Sequence, residues 1–150
     1  MKSIVIYESV HNNNTEKVAK VIANEIDAEL VHVGDFLNSQ KDLADYDLVG
    51  FGSGIYYGKI HKNIKKLIEN VEHKDFQRTF IFTTSGTRNE DYNNKFKEFL
   101  NSKGFDVIAD FSCRGFASIG FWKIIKTVSK GRPNEKDLDS AKNFARSISI

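Results

Sequence analysis

The chain has 150 residues, of which 40% are hydrophobic, 28% charged and 12% aromatic, and this composition excludes a disordered or fibrous protein. It carries 22 Lys and Arg residues against 20 Asp and Glu residues, an excess too small to indicate a nucleic-acid partner. One cysteine, Cys113, excludes an internal disulfide, and no apolar run is long enough to span a membrane, so we expect a cytoplasmic protein.

Short apolar runs predict five strands, at residues 4–7, 30–33, 48–52, 80–82 and 105–111. Apolar residues at helical spacing predict four helices, within 18–26, 60–71, 92–100 and 138–148. Strands that alternate with helices indicate an α/β fold with a doubly wound parallel sheet. By analogy with other five-stranded sheets of this kind, the strand order is 2-1-3-4-5. Asp106 and Asp110 mark the last strand as an edge, and the absence of a linker predicts one domain over 1–150.

Ligands of such sheets bind beyond the carboxyl ends of the strands, where the loops after the first, third and fourth strands are expected to meet. The first of these loops is polar, reading S-V-H-N-N-N-T over residues 9–15, and a helix begins near Glu16. Its hydroxyls, amides and free backbone N–H groups are suited to a phosphate held without Lys or Arg. Alternatively, the loop is a plain turn with Asn14 or Thr15 as the helix N-cap.

The loop after the third strand reads G-S-G-I-Y-Y-G-K over residues 52–59. Its glycines allow a flat ligand to approach the backbone, and Tyr56 and Tyr57 offer a stacking surface. Alternatively, these tyrosines fold onto the core of an ordinary turn. The loop after the fourth strand, T-T-S-G-T-R-N over 83–89, has hydroxyls and amides that suit the polar rim of a planar heterocycle. Arg88 in this loop is either a solvated charge or a neighbour of the ligand.

Together these loops resemble those of the flavodoxins, in particular short flavodoxin-like proteins whose first loop reads S-x-H-x-x-N-T. The resemblance continues through residues 111–116, F-S-C-R-G-F, and the tail at 131–138, and covers essentially the whole chain. It implies a flavodoxin-like fold and a non-covalent FMN, with the phosphate in the first loop and the ring between the other two. The implied cofactor-binding residues are Ser9, His11, Asn12, Asn13, Asn14, Thr15, Ser53, Gly54, Ile55, Tyr56, Tyr57, Gly58, Thr84, Ser85, Gly86 and Thr87.

The resemblance implies an electron-transfer protein that shuttles single electrons between redox partner proteins, a reductase and an acceptor. Two features depart from the family: the phosphate loop is one residue longer, with Asn13 where glycine is usual, and the isoelectric point is about 8.6 where flavodoxins are typically acidic. An alternative within the same fold is an FMN-dependent oxidoreductase of the quinone reductase or protoporphyrinogen oxidase type. A third class is a flavin-free interaction module.

Neither catalytic residues nor metal ligands are predicted, because the four histidines lack zinc spacing and Cys113 has no evident base partner. A monomer is favoured. The apolar and basic segment 117–132 is either a connection packed across the end of the sheet or a docking surface for an acidic redox partner.

Overall fold

Strands and helices alternate along the chain in the computed structural model, which describes residues 1–9, 14–86, 90–114 and 133–149. The strands are β1 (Ser3–Glu8), β2 (Glu29–His32), β3 (Leu48–Tyr56), β4 (Lys59–Ile60), β5 (Gln77–Ser85) and β6 (Phe105–Arg114). The helices are α1 (Asn14–Glu25), α2 (Val33–Leu37), α3 (Lys62–Asn70), α4 (Glu90–Ser102) and α5 (Glu135–Ile148), and a 3₁₀ turn spans Leu43–Asp45.

The sheet has the order β2-β1-β3-β5-β6, and each of these neighbouring pairs is parallel. The short β4 lies outside this path and pairs with β3 in antiparallel orientation. When β4 is left out and the remaining strands are numbered one to five, the order is the predicted 2-1-3-4-5. The predicted fold class is therefore confirmed. The predicted edge is also confirmed, because β6 is the last strand and Asp106 and Asp110 are exposed on it.

The short elements α2, β4 and the 3₁₀ turn were not predicted, because each contains too few residues for a hydrophobic period. The boundary between β2 and α2 also differs from the prediction. Val33 begins α2 instead of ending β2, since the His32 ring accepts a hydrogen bond from the Gly34 N–H and caps the helix. The strands β3 and β5 both extend beyond their apolar runs, into the polar loops that follow.

Two apolar layers cover the sheet. On one face, Val5 and Tyr7 of β1 pack with the buried sides of α1 and α5. On the other face, Ile4 and Ile6 pack with α2, α3 and α4. This alternation continues to the end of β1, so that Glu8 lies on the same face as Ile4 and Ile6.

Beneath α1, two phenylalanines of β5 cover glycines of the neighbouring strand β3. A Cβ atom on Gly50 would lie 2.2 Å from the Phe80 ring, and one on Gly52 would lie 2.1 Å from the Phe82 ring. Both rings are fully buried. The glycines at these positions therefore make room for aromatic side chains of the chain itself.

This contact predicts the effect of a single added methyl group. We expect Gly52→Ala to lower the free energy of unfolding by about 1–3 kcal/mol, because the methyl group would overlap the Phe82 ring in a filled core. Urea unfolding measures the loss. The double variant Gly52→Ala/Phe82→Leu should recover part of it, whereas strictly additive losses would contradict the contact.

Candidate functional site

A row of polar side chains ends the apolar core at the carboxyl edge of the sheet. Glu8 of β1 is in register with Ser53 of β3, Ser53 with Thr83 of β5, and Thr83 with Ser112 of β6. In β1, β3 and β5 the two residues directly before this polar residue are apolar or glycine, and the polar residue marks the end of the packed layer. The loops that the sequence singled out, at 9–15, 52–59 and 83–89, begin at this row or next to it.

The start of α1 is held in place by the residues around the first loop. The Ser9 hydroxyl accepts a hydrogen bond from the Glu16 N–H over 3.2 Å, and this bond satisfies one of the free donors in the first turn. Glu16 in turn accepts a hydrogen bond from the Tyr7 hydroxyl. Burial raises the pKa of the Tyr7 phenol to about 12, and the Glu16 carboxylate adds to the shift. Tyr7 therefore remains protonated and continues to donate to Glu16.

A hydrogen bond between two hydroxyls connects the first loop with the third. Thr15 Oγ1 and Thr84 Oγ1 lie 2.8 Å apart, and their residues are only 1% and 4% exposed. This bond joins the first turn of α1 to the end of β5, across a sequence separation of 69 residues. The structure thus brings together two of the loops that the sequence assigned to one ligand.

The loop after the third strand is a β-hairpin with a two-residue turn. Ile55 pairs with Ile60, and Tyr56 pairs with Lys59. The turn residues Tyr57 and Gly58 have φ angles of +53° and +79°, as in a type I′ turn. Positive φ is unusual for tyrosine, and the Tyr57 residue is 99% exposed. The turn therefore holds a large aromatic ring in solvent at the carboxyl edge.

The other residues of this loop make contacts within the chain. The Ser53 hydroxyl accepts from the His61 N–H over 2.8 Å and donates to the Gly54 carbonyl. A Cβ atom on Gly54 would lie 2.6 Å from the Tyr56 hydroxyl, so the Tyr56 phenol covers this part of the backbone. Tyr56 also contacts the His61 ring edge to face, with centroids 5.2 Å apart. Of the two tyrosines, Tyr56 folds inward and Tyr57 projects outward.

A buried carboxylate connects three elements on the face opposite α1. Glu8 is 5% exposed and accepts hydrogen bonds from the Ser9 N–H, His32 Nε2 and Asn63 Nδ2 at 3.1, 2.7 and 2.9 Å. Burial raises the pKa of Glu8, but the hydrogen bonds from Asn63 and His32 outweigh burial and hold the pKa below its ordinary value. Glu8 is therefore ionised near neutral pH and fixes the ends of β1 and β2 to the start of α3.

The geometry assigns the tautomers of the two histidines beside Glu8. In each ring Nδ1 accepts a hydrogen bond from a backbone N–H and thereby caps a helix. His32 accepts from the Gly34 N–H and His61 from the Asn63 N–H, both over 3.0 Å. The proton of each neutral ring is therefore on Nε2, and His32 donates it to Glu8. His61 Nδ1 lies 4.0 Å from Glu8, which is too far for a hydrogen bond. These rings serve as caps and supports for the carboxylate.

A second polar network supports the third loop on the same face. Thr83 Oγ1 donates to Asn93 Oδ1 over 2.5 Å, and Asn93 is 3% exposed. The Asn93 amide donates to the Asp110 carboxylate and to the Phe111 carbonyl. Since Thr83 and Thr84 point to opposite faces of β5, one is held by α4 and the other by α1.

Twelve of the sixteen predicted cofactor-binding residues lie in the described part of the chain, and the others, His11, Asn12, Asn13 and Thr87, lie outside it. The described ones fall at the ends of β1, β3 and β5 and at the start of α1. Arg88 and the segment 117–132 also lie outside the described residues. The roles assigned to all of these residues stay predictions.

Sequence reasoning missed Glu8, Asn63 and Asn93 as parts of the carboxyl edge. The signal was present for Glu8, a charged residue directly after an apolar strand, where parallel strands bring their ends together. It was also present for His32, which ends the neighbouring strand. No comparable signal marked Asn63 and Asn93, because each lies inside a polar stretch of a helix and acquires its partner only from packing.

Among the residues with described positions, no helix has both the length and the apolar character that a membrane crossing requires. Within these same ranges, no group of three or more His, Cys, Asp or Glu side chains is arranged to hold a metal ion.

Comparison with known proteins agrees with this geometry. The family model of the flavodoxin domain matches residues 4–117. An uncharacterised protein of Methanocaldococcus jannaschii is 39% identical over 150 residues, which cover 99% of this chain and 98% of that protein. The structure of a flavodoxin from the domain Archaea gives a TM-score of 0.75 at 19% identity, and the match covers 99% of this chain and 96% of that chain.

A further structural neighbour carries a ligand. It is a flavoprotein from Lactobacillus acidophilus in complex with FMN, with a TM-score of 0.58, 24% identity, and coverage of 74% of this chain and 92% of that chain. Because the family model matches more than half of the chain, the chain belongs to the flavodoxin family. The flavodoxin-like fold indicates a flavin cofactor.

The buried cap of α3 predicts a pH dependence of stability. Burial lowers the pKa of His61 below its ordinary value of 6.5 and outweighs the opposite effect of the Glu8 charge. The unfolded chain therefore binds this proton more readily, so the contribution of His61 to stability is present above pH 6.5 and is lost as the pH falls.

We expect His61→Asn to remove this part of the pH dependence, since asparagine caps a helix well and does not titrate. Urea unfolding between pH 5 and 8 measures it, with the difference between wild type and variant taken at each pH so that the other histidines cancel. A difference that does not change with pH would contradict the assignment.

Proposed function

We propose that this protein binds FMN at the carboxyl edge of the sheet and carries single electrons between a reductase and an acceptor protein. The observation that carries the proposal is Tyr57, a fully exposed aromatic ring held in a positive-φ turn. A strained turn with an exposed aromatic ring is unfavourable for stability, and at the carboxyl edge, where ligands of such sheets bind, it favours a binding site. The ring is suited to stack on one face of a planar heterocycle.

The start of α1 supports the binding of the phosphate. The first turn of a helix leaves backbone N–H groups outside the helical hydrogen bonds, and the helix dipole favours an anion there. Glu8 is the buried carboxylate nearest to this loop in sequence. Its side chain lies on the face of the sheet opposite α1, where it accepts hydrogen bonds from three donors. The described residues of this loop, Ser9, Asn14 and Thr15, have uncharged side chains. Glu16, the next residue, accepts a hydrogen bond from the Tyr7 hydroxyl. The residues present therefore fit an FMN phosphate.

The hairpin and the end of β5 support the binding of the ring. The flavin supplies the electron-transfer chemistry, and the residues of this chain position it and limit the access of water. In this proposal Tyr57 covers the outer face, while the backbone of Thr84, Ser85 and Gly86 provides hydrogen bonds to the polar rim. The Thr15–Thr84 bond keeps the phosphate and ring subsites at a fixed separation. The preorganised site is expected to lower the cost of binding.

The redox partner proteins, a cytoplasmic location and a single domain over residues 1–150 are part of the same proposal. Their support is the family and its fold, together with the absence of a second set of elements in the described residues.

The first test of this function compares FMN with riboflavin, which lacks the phosphate. We expect the protein to bind FMN at least about 100-fold more tightly, because several hydrogen bonds to a charged group each contribute about 1.5–3 kcal/mol. Quenching of flavin fluorescence during titration of the apoprotein measures both affinities. Failure to bind either flavin would overturn the proposed function, and equal affinities would overturn the phosphate site.

The second test separates binding from stability at the hairpin. We expect Tyr57→Asn to raise the free energy of unfolding of the apoprotein by about 0.5–1 kcal/mol, because Asn-Gly suits a type I′ turn. The same change should weaken FMN binding about ten-fold, since a stacking partner is lost.

Tyr57→Phe is the matched control and should retain the affinity, because it keeps the ring. Urea unfolding and fluorescence titration give the two quantities. A Tyr57→Asn variant that binds FMN as tightly as wild type would remove Tyr57 from the site.

A further inference from the structure

Four lysines follow the exposed Tyr57 within nine residues of sequence. Lys59 is in β4, directly opposite Tyr56, and the others occupy the start of α3, which begins two residues after β4. We call these four residues the hairpin lysines; they are Lys59, Lys62, Lys65 and Lys66, and all are exposed. In α3 they are three and four residues apart and therefore share one side of the helix. That side is opposite the buried residues, which are Ile64, Leu67 and Ile68.

Within the ranges that the structure describes, no charge partner explains the positions of the hairpin lysines. The ion pairs among the described residues involve other cations, and none joins a hairpin lysine to a carboxylate. The first turn of α3 contains no acidic residue. Since the amino end of a helix carries partial positive charge, lysine at Lys62 is unfavourable for α3 itself. Glu69 lies on the same side of α3, four residues after Lys65, so the positive potentials of the lysines and the helix dipole add most strongly at the start of α3.

Among the described residues, the start of α3 and the start of α4 differ in the charge of their sequences. The helix α4 also approaches the hairpin, since a Cβ atom on Gly58 would lie 4.0 Å from the Tyr92 ring. The sequence of α4 begins with Glu90 and Asp91. A charged partner that approaches Tyr57 therefore meets the positive field of the lysines over α3, and this field orients the partner.

We propose that the hairpin lysines form the docking surface for a redox partner protein with an acidic patch, which binds over α3 with its redox centre next to Tyr57. This inference rests on the proposed function, in which Tyr57 covers the flavin. In the transfer step the reduced flavin loses one electron and a ferric centre of the partner becomes ferrous. The charge of this surface is opposite to that of a typical acidic flavodoxin and agrees with the high isoelectric point of the chain.

The test uses the full-length FMN-loaded protein, reduced with dithionite and mixed in a stopped-flow instrument with one of two probe proteins. One probe is an acidic rubredoxin and the other is a basic cytochrome c. The patch variant is Lys59→Gln/Lys62→Gln/Lys66→Gln. The control variant is Lys74→Gln/Lys103→Gln/Lys142→Gln, which removes the same charge from exposed positions outside the hairpin and α3. Each variant shifts the formal net charge from +2 to −1.

We expect the rate constant with rubredoxin at low ionic strength to fall about ten-fold in the patch variant and less than about two-fold in the control. Added salt should slow the reaction of wild type and control but have little effect on the patch variant. With cytochrome c, the patch variant should react as fast as wild type or faster. Equal losses in both variants would overturn the inference, because net charge would then explain the effect.

A second measurement does not depend on electron transfer. Zinc-substituted rubredoxin accepts no electron, and its addition to the oxidised, FMN-loaded protein should shift the amide resonances of residues 57–66 in wild type but not in the patch variant. Shifts confined to other residues would overturn the docking surface. If FMN binds and both probes are reduced equally well by all variants, only the docking inference fails. If FMN does not bind, the proposed function and the inference fail together.

Discussion

Phe80 and Phe82 of β5 lie across Gly50 and Gly52 of β3, and the carboxyl edge depends on this contact. Because the glycines have no side chains, one layer of aromatic rings fills the space beneath α1 over both strands. The first turn of α1 can then approach the end of β5 closely enough for the bond between Thr15 and Thr84. The close packing of the core thereby sets the distance between the two loops that face the proposed ligand.

On the other face of the sheet, networks of hydrogen-bonded polar side chains join the strands and helices where the apolar layer ends. A buried carboxylate without donors is strongly destabilising, so Glu8 can be tolerated only while His32, Asn63 and the Ser9 N–H stay in place. The hydrogen bond between Thr83 and Asn93 likewise joins β5 to α4. These networks make the ends of neighbouring strands a rigid frame. The hairpin extends beyond these strand ends and places the Tyr57 ring in solvent.

Two local features at the hairpin are unfavourable for folding and favourable for binding. Tyr57 adopts a positive φ that Asn or Gly would adopt at lower cost, and Lys62 lies at the positive end of a helix dipole. Such conflicts between local preference and the fold concentrate at functional sites. Tyr57 and Lys62 lie within six residues of each other, and the proposed function assigns Tyr57 to the flavin and the hairpin lysines to the partner.

The sequence by itself determined the fold class, the strand order by analogy, the edge position of β6 and the three loops at the carboxyl edge. Unbroken apolar runs and helical spacing carry that information locally, because burial on one or both faces imposes a period on the chain. The sequence did not show that Tyr56 folds inward while Tyr57 projects outward, since the two differ only in the backbone conformation of the turn. Only the tertiary structure decided the partners of Glu8, Thr15 and Asn93, because each hydrogen bond joins elements whose distance is set by the packing of the whole sheet.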